Sequence, residues 1–403
     1  MFADLHIHSR FSRATSKAIT IENLEKWALV KGLGLLGTGD FQHPEWIKEL
    51  DALEERDGIL YTKSRFPFLW QTEISLMYSQ DGKGRRIHHV ILAPDKGVVK
   101  QITEFLSRKG RLDYDGRPIF GFSSVELEDE MLSISPDIEI IPAHCMTPWF
   151  GVFGSKSGFD SLKECFLDKT NKIHAVESGL SADPEMLRRF SWLNGKAIVS
   201  FSDLHSFWPW RIGREATIFK KSENKELCYK DIIKQIRENS FSGTVETEPA
   251  YGRYHFDGHR ACDFSCSPAQ TRKLRGICPV CKGPLTIGVE SRVEELTDQK
   301  SEEHNKKHYY KLIPLHELIA LAKGSTLASK KTWQVYNLVI EKFGNEFNIL
   351  LNVQKEELAK ELKDEKLLIE LILRNREAKL RIKAGFDGEY GQVLLAEKQK
   401  KLF

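Results

Sequence analysis

Short apolar runs alternate with amphipathic stretches from residue 1 to about 245, and nothing else in the chain limits its possible folds as tightly. The runs predict strands at Phe2–Ile7, Leu33–Gly37, Phe68–Leu76, His89–Ala93, Glu139–Pro142, His174–Glu177 and Ala197–Phe201. The stretches between them, such as Thr20–Lys31 and Asp183–Leu193, predict helices. Strand–helix alternation over this length predicts an α/β domain with parallel strands closed into a barrel. In such folds the chemistry sits at the carboxyl ends of the strands. Ionisable residues directly follow several of these runs.

The texture changes near Val245. Residues 250–290 are rich in Gly, Cys, His and Pro and show little periodicity, which predicts a small module held by metal. Helical spacing then resumes, with Trp333, Tyr336, Val339, Ile340 and Phe343 on one face. The expected units are therefore 1–245, 246–290 and a helical region with a tail over 291–403, consistent with a chain of 403 residues. Lys and Arg number 60 against 57 Asp and Glu, so any nucleic-acid face must come from local clustering. Seven cysteines, an odd number and unevenly spread, argue against a disulfide framework and for a reducing compartment. The start Met-Phe-Ala-Asp-Leu-His has no signal-peptide pattern, and no run of about 20 apolar residues occurs, so a cytoplasmic, membrane-free location is expected.

Asp4-Leu5-His6-Ile7-His8 places two imidazoles on one face of a strand end. Five further segments repeat the theme. Asp40 follows Leu35-Leu36-Gly37, Glu73 sits in Gln71-Thr72-Glu73, and His88-His89 opens Val90-Ile91-Leu92. His144 follows Ile140-Ile141, and Asp203-Leu204-His205 follows Val199-Ser200-Phe201. Each alone reads as an ordinary polar residue near a loop. Together they do not, because burying so many ionisable groups costs several kcal/mol each unless they are paired or bind metal. Imidazole mixed with carboxylate suits zinc, manganese or iron, and more than four donors imply more than one ion, with Glu73 a candidate bridge.

This order of motifs resembles the polymerase and histidinol phosphatase (PHP) superfamily over residues 1–215. The resemblance implies a distorted (β/α)7 barrel with two or three divalent metal ions (Zn, Mn, Mg or Fe) that hydrolyses phosphoesters. It makes His6, His8, Asp40, Glu73, His89, His144, Asp203 and His205 the metal ligands, with Asp203, His205 and Glu73 at the catalytic positions. His89 is preferred to His88 because it directly starts its strand. Thr38-Gly39-Asp40 departs from the commoner Thr-Asp-His, and His43 is given a loop role.

Further stretches are similar to one branch, endonuclease Q. They are Gly37-Thr38-Gly39-Asp40, His88-His89-Val90, Thr147-Pro148-Trp149, Glu177-Ser178-Gly179-Leu180-Ser181-Ala182-Asp183 and Gly213-Arg214-Glu215. That resemblance covers nearly the whole chain. It implies a DNA repair endonuclease that cuts 5′ of uracil, hypoxanthine, xanthine or an abasic site, leaving a 3′-hydroxyl and a 5′-phosphate. A metal-activated hydroxide would attack the phosphorus in line, and the damaged base would have to be flipped from the duplex. Trp149 and Lys156, in the loop after His144, offer a ring to stack and a cation for phosphate. Arg211 and Arg214, close after Asp203, offer further phosphate contacts.

His259-x2-Cys262 and Cys278-x2-Cys281, fifteen residues apart, predict one closed structural zinc site, with Cys266 the competing fourth ligand. Arg260 and Arg275 belong to a basic cluster around it that suits DNA backbone. The tail Gln399-Lys400-Lys401-Leu402-Phe403 resembles the sliding-clamp-binding peptide, with Gln399, Leu402 and Phe403 as contacts. Two rival readings are a PHP phosphoesterase acting on a small phosphorylated metabolite and a non-catalytic DNA-binding module. The zinc module and tail argue against the first, and the intact donor set against the second.

Overall fold

The strand Phe2–Asp4 lies inside an eight-stranded sheet, parallel to Leu33–Gly37 on one side and antiparallel to Ala216–Ile218 on the other. Its residues are nearly all buried because both faces of the sheet are covered. The computed structural model describes residues 1–221, 226–299 and 307–395. Gln399, Leu402 and Phe403 lie outside the described residues.

The expected single strand Phe68–Leu76 is two. Pro67–Leu69 joins the eight-stranded sheet, and Gln71–Gln80 belongs to a separate four-stranded one. Gln71–Gln80 then forms a long hairpin with Lys83–Leu92. Asp81 and Gly82 turn the chain, with φ of 53° and 72°. Two consecutive left-handed residues match the strand twist, and Asp-Gly favours that turn. The sheets are therefore mixed rather than parallel, which corrects the sequence expectation. The pairs Gln71–Gln80 with Lys83–Leu92 and Lys83–Leu92 with Glu139–Pro142 are antiparallel, while Ala175–Glu177 and Ala197–Val199 pair in parallel.

Alternate residues still converge. Ala3, Leu35, Leu69, Val90, Ile141, Ala175 and Val199, from seven strands, form one buried apolar cluster. The helix Tyr229–Arg237 closes one end of it with Tyr229, Ile232, Ile233 and Ile236. The opposite strand ends open toward solvent and carry the polar residues described below.

Residues 291–403 are not purely helical. His308–Lys311 is an edge strand of the eight-stranded sheet, paired in parallel with Gly243–Glu246. The helices Leu315–Ala322, Lys330–Phe343, Glu346–Leu351, Lys355–Glu361 and Lys366–Arg376 share one apolar cluster with Leu24 and Ala28 of the helix Ile21–Lys31. A buried ion pair lies at this junction. Lys31 Nζ donates to Glu346 Oε1 (2.6 Å) and to the Pro209 carbonyl (2.5 Å), and Glu346 also accepts from the Leu315 amide and the Tyr336 hydroxyl.

Candidate active site

Strand geometry brings the histidines and carboxylates together. His6 and His8 alternate with the buried apolar Leu5 and Ile7, and a parallel bridge between Ile7 and Leu204 holds Asp203 beside them. Donor atoms of His6, His8, Glu73 and Asp203 all lie within 4.8 Å of one another, as do those of Glu73, His88 and His144. Glu73 is common to both groups. Its Oε1 is 3.4 Å from His6 Nε2, 3.0 Å from His88 Nδ1 and 3.1 Å from His144 Nε2, while Oε2 is 3.3 Å from His8 Nε2. Asp203 Oδ1 is 3.2 Å from His8 Nε2 and 3.7 Å from His6 Nε2.

Strand register explains why His88, and not His89, joins this group. In the hairpin Ser75 faces His88 and Ile74 faces His89, so His88 shares the face of Glu73. His89 points the other way, with Nε2 2.9 Å from Ser124 Oγ and its ring against Phe166. Burial lowers its pKa to about 3, which keeps it neutral. The structure therefore brings His88, and not the expected His89, into the donor group.

Asp40 also differs from expectation. Its Oδ1 lies 3.1 Å from His8 Nδ1, and Oδ2 accepts from the Ser9 amide, Ser9 Oγ and Ser12 Oγ. With its oxygens so engaged, Asp40 orients His8 instead of joining the donor groups. Glu177 does the same for His6, at 2.9 and 3.0 Å from Nδ1, and accepts from the His144 amide. A carboxylate on Nδ1 fixes the tautomer and leaves Nε2 free for a cation. His205 sits at the edge, its Nδ1 2.9 Å from the Asp203 carbonyl and its ring 4.8 Å from that of His8. His43 stacks on Phe11 at 4.4 Å, in the loop role expected.

The arrangement fits divalent cations. His6 Nε2 is buried and has no hydrogen-bond partner, although it faces two carboxylates. Burial opposes charge on Glu73, but the Arg117 guanidinium, His6 and the hydrogen bond with His144 outweigh it and hold its pKa well below the ordinary value. Asp203 is lowered likewise, burial being overcome by His205, His8 and His6. Burial lowers the His88 pKa to about 3, favouring the neutral imidazole that ligates metal. Asp40, His144 and Asp203 take positive φ values of 40°, 32° and 49°. Such backbone is uncommon for non-glycine residues and clusters at functional sites. Gly179 backs the centre: its φ is 63°, and a Cβ there would lie 2.6 Å from His144 Cβ.

The centre opens into a cleft of about 850 Å³. Arg117, Arg211, Arg214 and Arg253 line it together with the rings of Trp149, Phe150, Tyr254 and Tyr390. Arg117, which the sequence reading missed, places Nη1 2.9 Å from Glu73 Oε2. Trp149 is 5.7 Å from Tyr254, and Phe150 packs on His88 at 4.3 Å. Arg214 donates to the Ser202 carbonyl, which ties it to the Asp203 loop. Lys156, Arg260 and Arg275 are exposed and do not line this cleft.

In the cysteine module, ligand atoms of His259, Cys262, Cys278 and Cys281 lie within 4.8 Å of one another. His259 Nδ1 is 3.1 Å from Cys262 Sγ and 3.5 Å from Cys281 Sγ. Cys266, the competing choice, instead contacts Thr271 Oγ1 at 3.2 Å. Among the described residues no helix is long and apolar enough to cross a membrane.

Residues 314–379 match the family model of the MJ0043 C-terminal domain. The chain is 34% identical over 294 residues to the uncharacterized protein MJ0043 of Methanocaldococcus jannaschii, a match covering 71% of the chain and 35% of that longer relative. It is 28% identical over 413 residues to the uncharacterized protein YqxK of Bacillus subtilis, covering 98% of the chain and 99% of YqxK. Two solved structures are similar over the full length. The lesion-specific endonuclease of Pyrococcus furiosus superposes with a TM-score of 0.87 at 29% identity, covering 100% of this chain and 97% of that one. Endonuclease Q in complex with a 27-mer duplex carrying an abasic lesion superposes with a TM-score of 0.88 at 30% identity, covering 98% of this chain and 97% of that one. With matching folds, mutual coverage of 97% or more and a metal-ready centre under a basic, aromatic cleft, the chain belongs to the endonuclease Q family of DNA repair nucleases.

Proposed function

We propose that the chain nicks duplex DNA on the 5′ side of a deaminated base or an abasic site, leaving a 3′-hydroxyl and a 5′-phosphate. One observation carries this reading: Glu73 is shared by two donor groups on the floor of a cleft lined by arginines and aromatic rings. The seven-strand convergence supports a distorted PHP barrel as the scaffold. His6, His8, Glu73 and Asp203 would hold one cation, and Glu73, His88 and His144 a second. His205, beside Asp203 at the mouth, would complete a third position. Divalent ions bound there supply Lewis-acid charge to the phosphate oxygens and lower the pKa of the attacking water.

The residues around the centre orient the substrate. Asp40 and Glu177 hold the Nε2 atoms of His8 and His6 toward the reacting phosphate. Arg117, Arg211 and Arg214 neutralise phosphate charge in a site from which water is partly excluded. Trp149, Phe150, Tyr254 and Tyr390 supply faces for a base taken out of the stack, which costs a few kcal/mol and least for mispaired bases. Lys156, Arg260 and Arg275 grip the backbone farther out. His259, Cys262, Cys278 and Cys281 hold a structural zinc. The tail residues Gln399, Leu402 and Phe403 are read as a clamp-binding peptide from their sequence alone.

The test is a set of end-labelled duplexes containing uracil, hypoxanthine, xanthine, an abasic site or no lesion, incubated with protein and Mg²⁺, Mn²⁺ or Zn²⁺. A cut on the 5′ side of the lesion, with a ligatable 3′-hydroxyl, is expected. Equal cutting of the undamaged duplex, or hydrolysis of p-nitrophenyl phosphate without any DNA cleavage, would overturn it. The latter result would favour the small-metabolite reading.

A further inference from the structure

A second cavity, of about 490 Å³, lies beside the eight-stranded sheet and shares no lining residue with the catalytic cleft. Arg188, Lys196 and Lys307 converge on it. The three come from different elements: the end of the helix Pro184–Leu187, the start of the strand Ala197–Val199 and the approach to the strand His308–Lys311. Among the described residues none of the three forms an ion pair. Lys196 and Lys307 donate only to the carbonyls of Thr170 (3.1 Å) and Phe241 (2.8 Å). One carboxylate, Glu238, lines the same space.

Two polar atoms here are buried and have no partner: Arg188 Nη1 and Asn239 Oδ1. The amide of Asn239 donates through Nδ2 to the Lys196 carbonyl at 3.4 Å, which leaves Oδ1 as the unused acceptor. Buried polar groups in folded proteins are almost always satisfied, and each exception calls for a ligand, a water or a cost of about 1–3 kcal/mol. Asp183, Glu246 and Glu185 act on Arg188 and Glu139 acts on Lys196 from nearby, but none of these carboxylates lines the cavity. Burial lowers the pKa of Arg188, and burial with the nearby Lys220 and Arg188 lowers that of Lys307. A bound anion would relieve both.

The cavity is larger than inorganic phosphate needs and lies within the usual range for small-molecule sites. Phe190, Leu193 and Phe241 give it an apolar side. We infer that this cavity binds a small organic phosphate, its anionic group held by Arg188, Lys196 and Lys307, and a hydrogen-bond donor of the ligand met by Asn239 Oδ1. That is the chemistry of a nucleoside monophosphate. The site stands apart from the reading of the catalytic cleft and does not depend on it.

Calorimetric titration of the purified, metal-loaded protein with adenosine, uridine and guanosine monophosphates, and with inorganic phosphate, tests it. At least one nucleotide is expected to bind tenfold or more tightly than inorganic phosphate. Arg188→Gln and, independently, Lys307→Gln should each weaken that binding at least tenfold while nicking of a lesion duplex stays within twofold of the unsubstituted chain. Asn239→Ala should weaken the nucleotide but not inorganic phosphate. Unchanged nucleotide affinity in variants that melt normally would overturn the inference and move the ligand to the catalytic cleft. No saturable binding to the unsubstituted chain at millimolar nucleotide would overturn it outright.

Discussion

The described residues contain two metal-ready centres built on opposite plans. The strand-end centre draws His6, His8, Glu73, His88, His144 and Asp203 from segments spread over about half the sequence, and nearly all of them are buried. The cysteine site takes His259, Cys262, Cys278 and Cys281 from one short stretch, with Cys281 exposed. The first centre is held by what surrounds it: carboxylates on the far ring nitrogens, a shared sheet and a large core. The second has a core of its own no larger than Cys266, Cys278 and Leu285. A scaffold of the first kind would keep its shape without an ion, leaving a bound ion for chemistry, as proposed above. A module of the second kind would be too small to fold without an ion, so the proposed ion there would be structural.

That contrast breaks or sharpens under substitution. Asp203→Ala should lower the nicking rate by about a thousandfold or more, since it removes a donor from the reacting centre, with the thermal melt unchanged. A large loss of melting temperature would show instead that the centre holds the fold together. Cys278→Ser should do the reverse. The module around it should become sensitive to limited proteolysis, and one equivalent of zinc should be lost by elemental analysis, while metal in the strand-end centre is retained. His88→Ala should cost about a hundredfold in rate, while His89→Ala should change the melt more than the rate, because only His88 reaches Glu73. Glu177→Gln should cost roughly tenfold in rate and weaken metal affinity by a similar factor, through the lost hold on His6.

The smallest effect concerns pH. Glu246 is buried with Glu215 beside it, both accepting from Ser200 Oγ, and burial raises the Glu246 pKa to about 8. The folded state therefore binds a proton that the unfolded chain releases above its ordinary carboxylate pKa. This contribution to stability is complete at low pH and is lost as pH rises through about 8. The melting temperature should fall by a few degrees between pH 6 and 9, and Glu246→Gln should flatten that slope. A slope unaltered in the variant would rule the pair out as its source.

The strand-end histidines and acids were legible because each borders or lies within an apolar run, a placement that survives ignorance of the topology. What lay beyond the sequence was pairing. His88 and His89 are adjacent, and only the register with Ser75 and Ile74 decides which one faces inward. Asp40 looks like a ligand in sequence, since a carboxylate that binds an ion and one that orients a histidine, as Glu177 does for His6, are the same residue type. Arg117 follows no run and became visible only when the hairpin brought Glu73 to it. One missed feature did carry a signal: Asp81-Gly82 marks the turn of a hairpin whose second strand begins six residues before His89.

The ammonium of Lys31 links parts of the chain that a domain drawing would separate. It is shared between Glu346, far along the C-terminal helices, and the carbonyl of Pro209, in the segment that leads from His205 to Arg211. A chain shortened to end before residue 314 would lose Glu346 and uncover the apolar cluster that the C-terminal helices share with Leu24 and Ala28, a loss of buried area that weighs heavily against a typical protein's small net stability. Residues 1–313 alone would lack the partner for one face of the helix Ile21–Lys31. Through one lysine, the C-terminal helices are tied to the segment that carries Arg211 to the cleft.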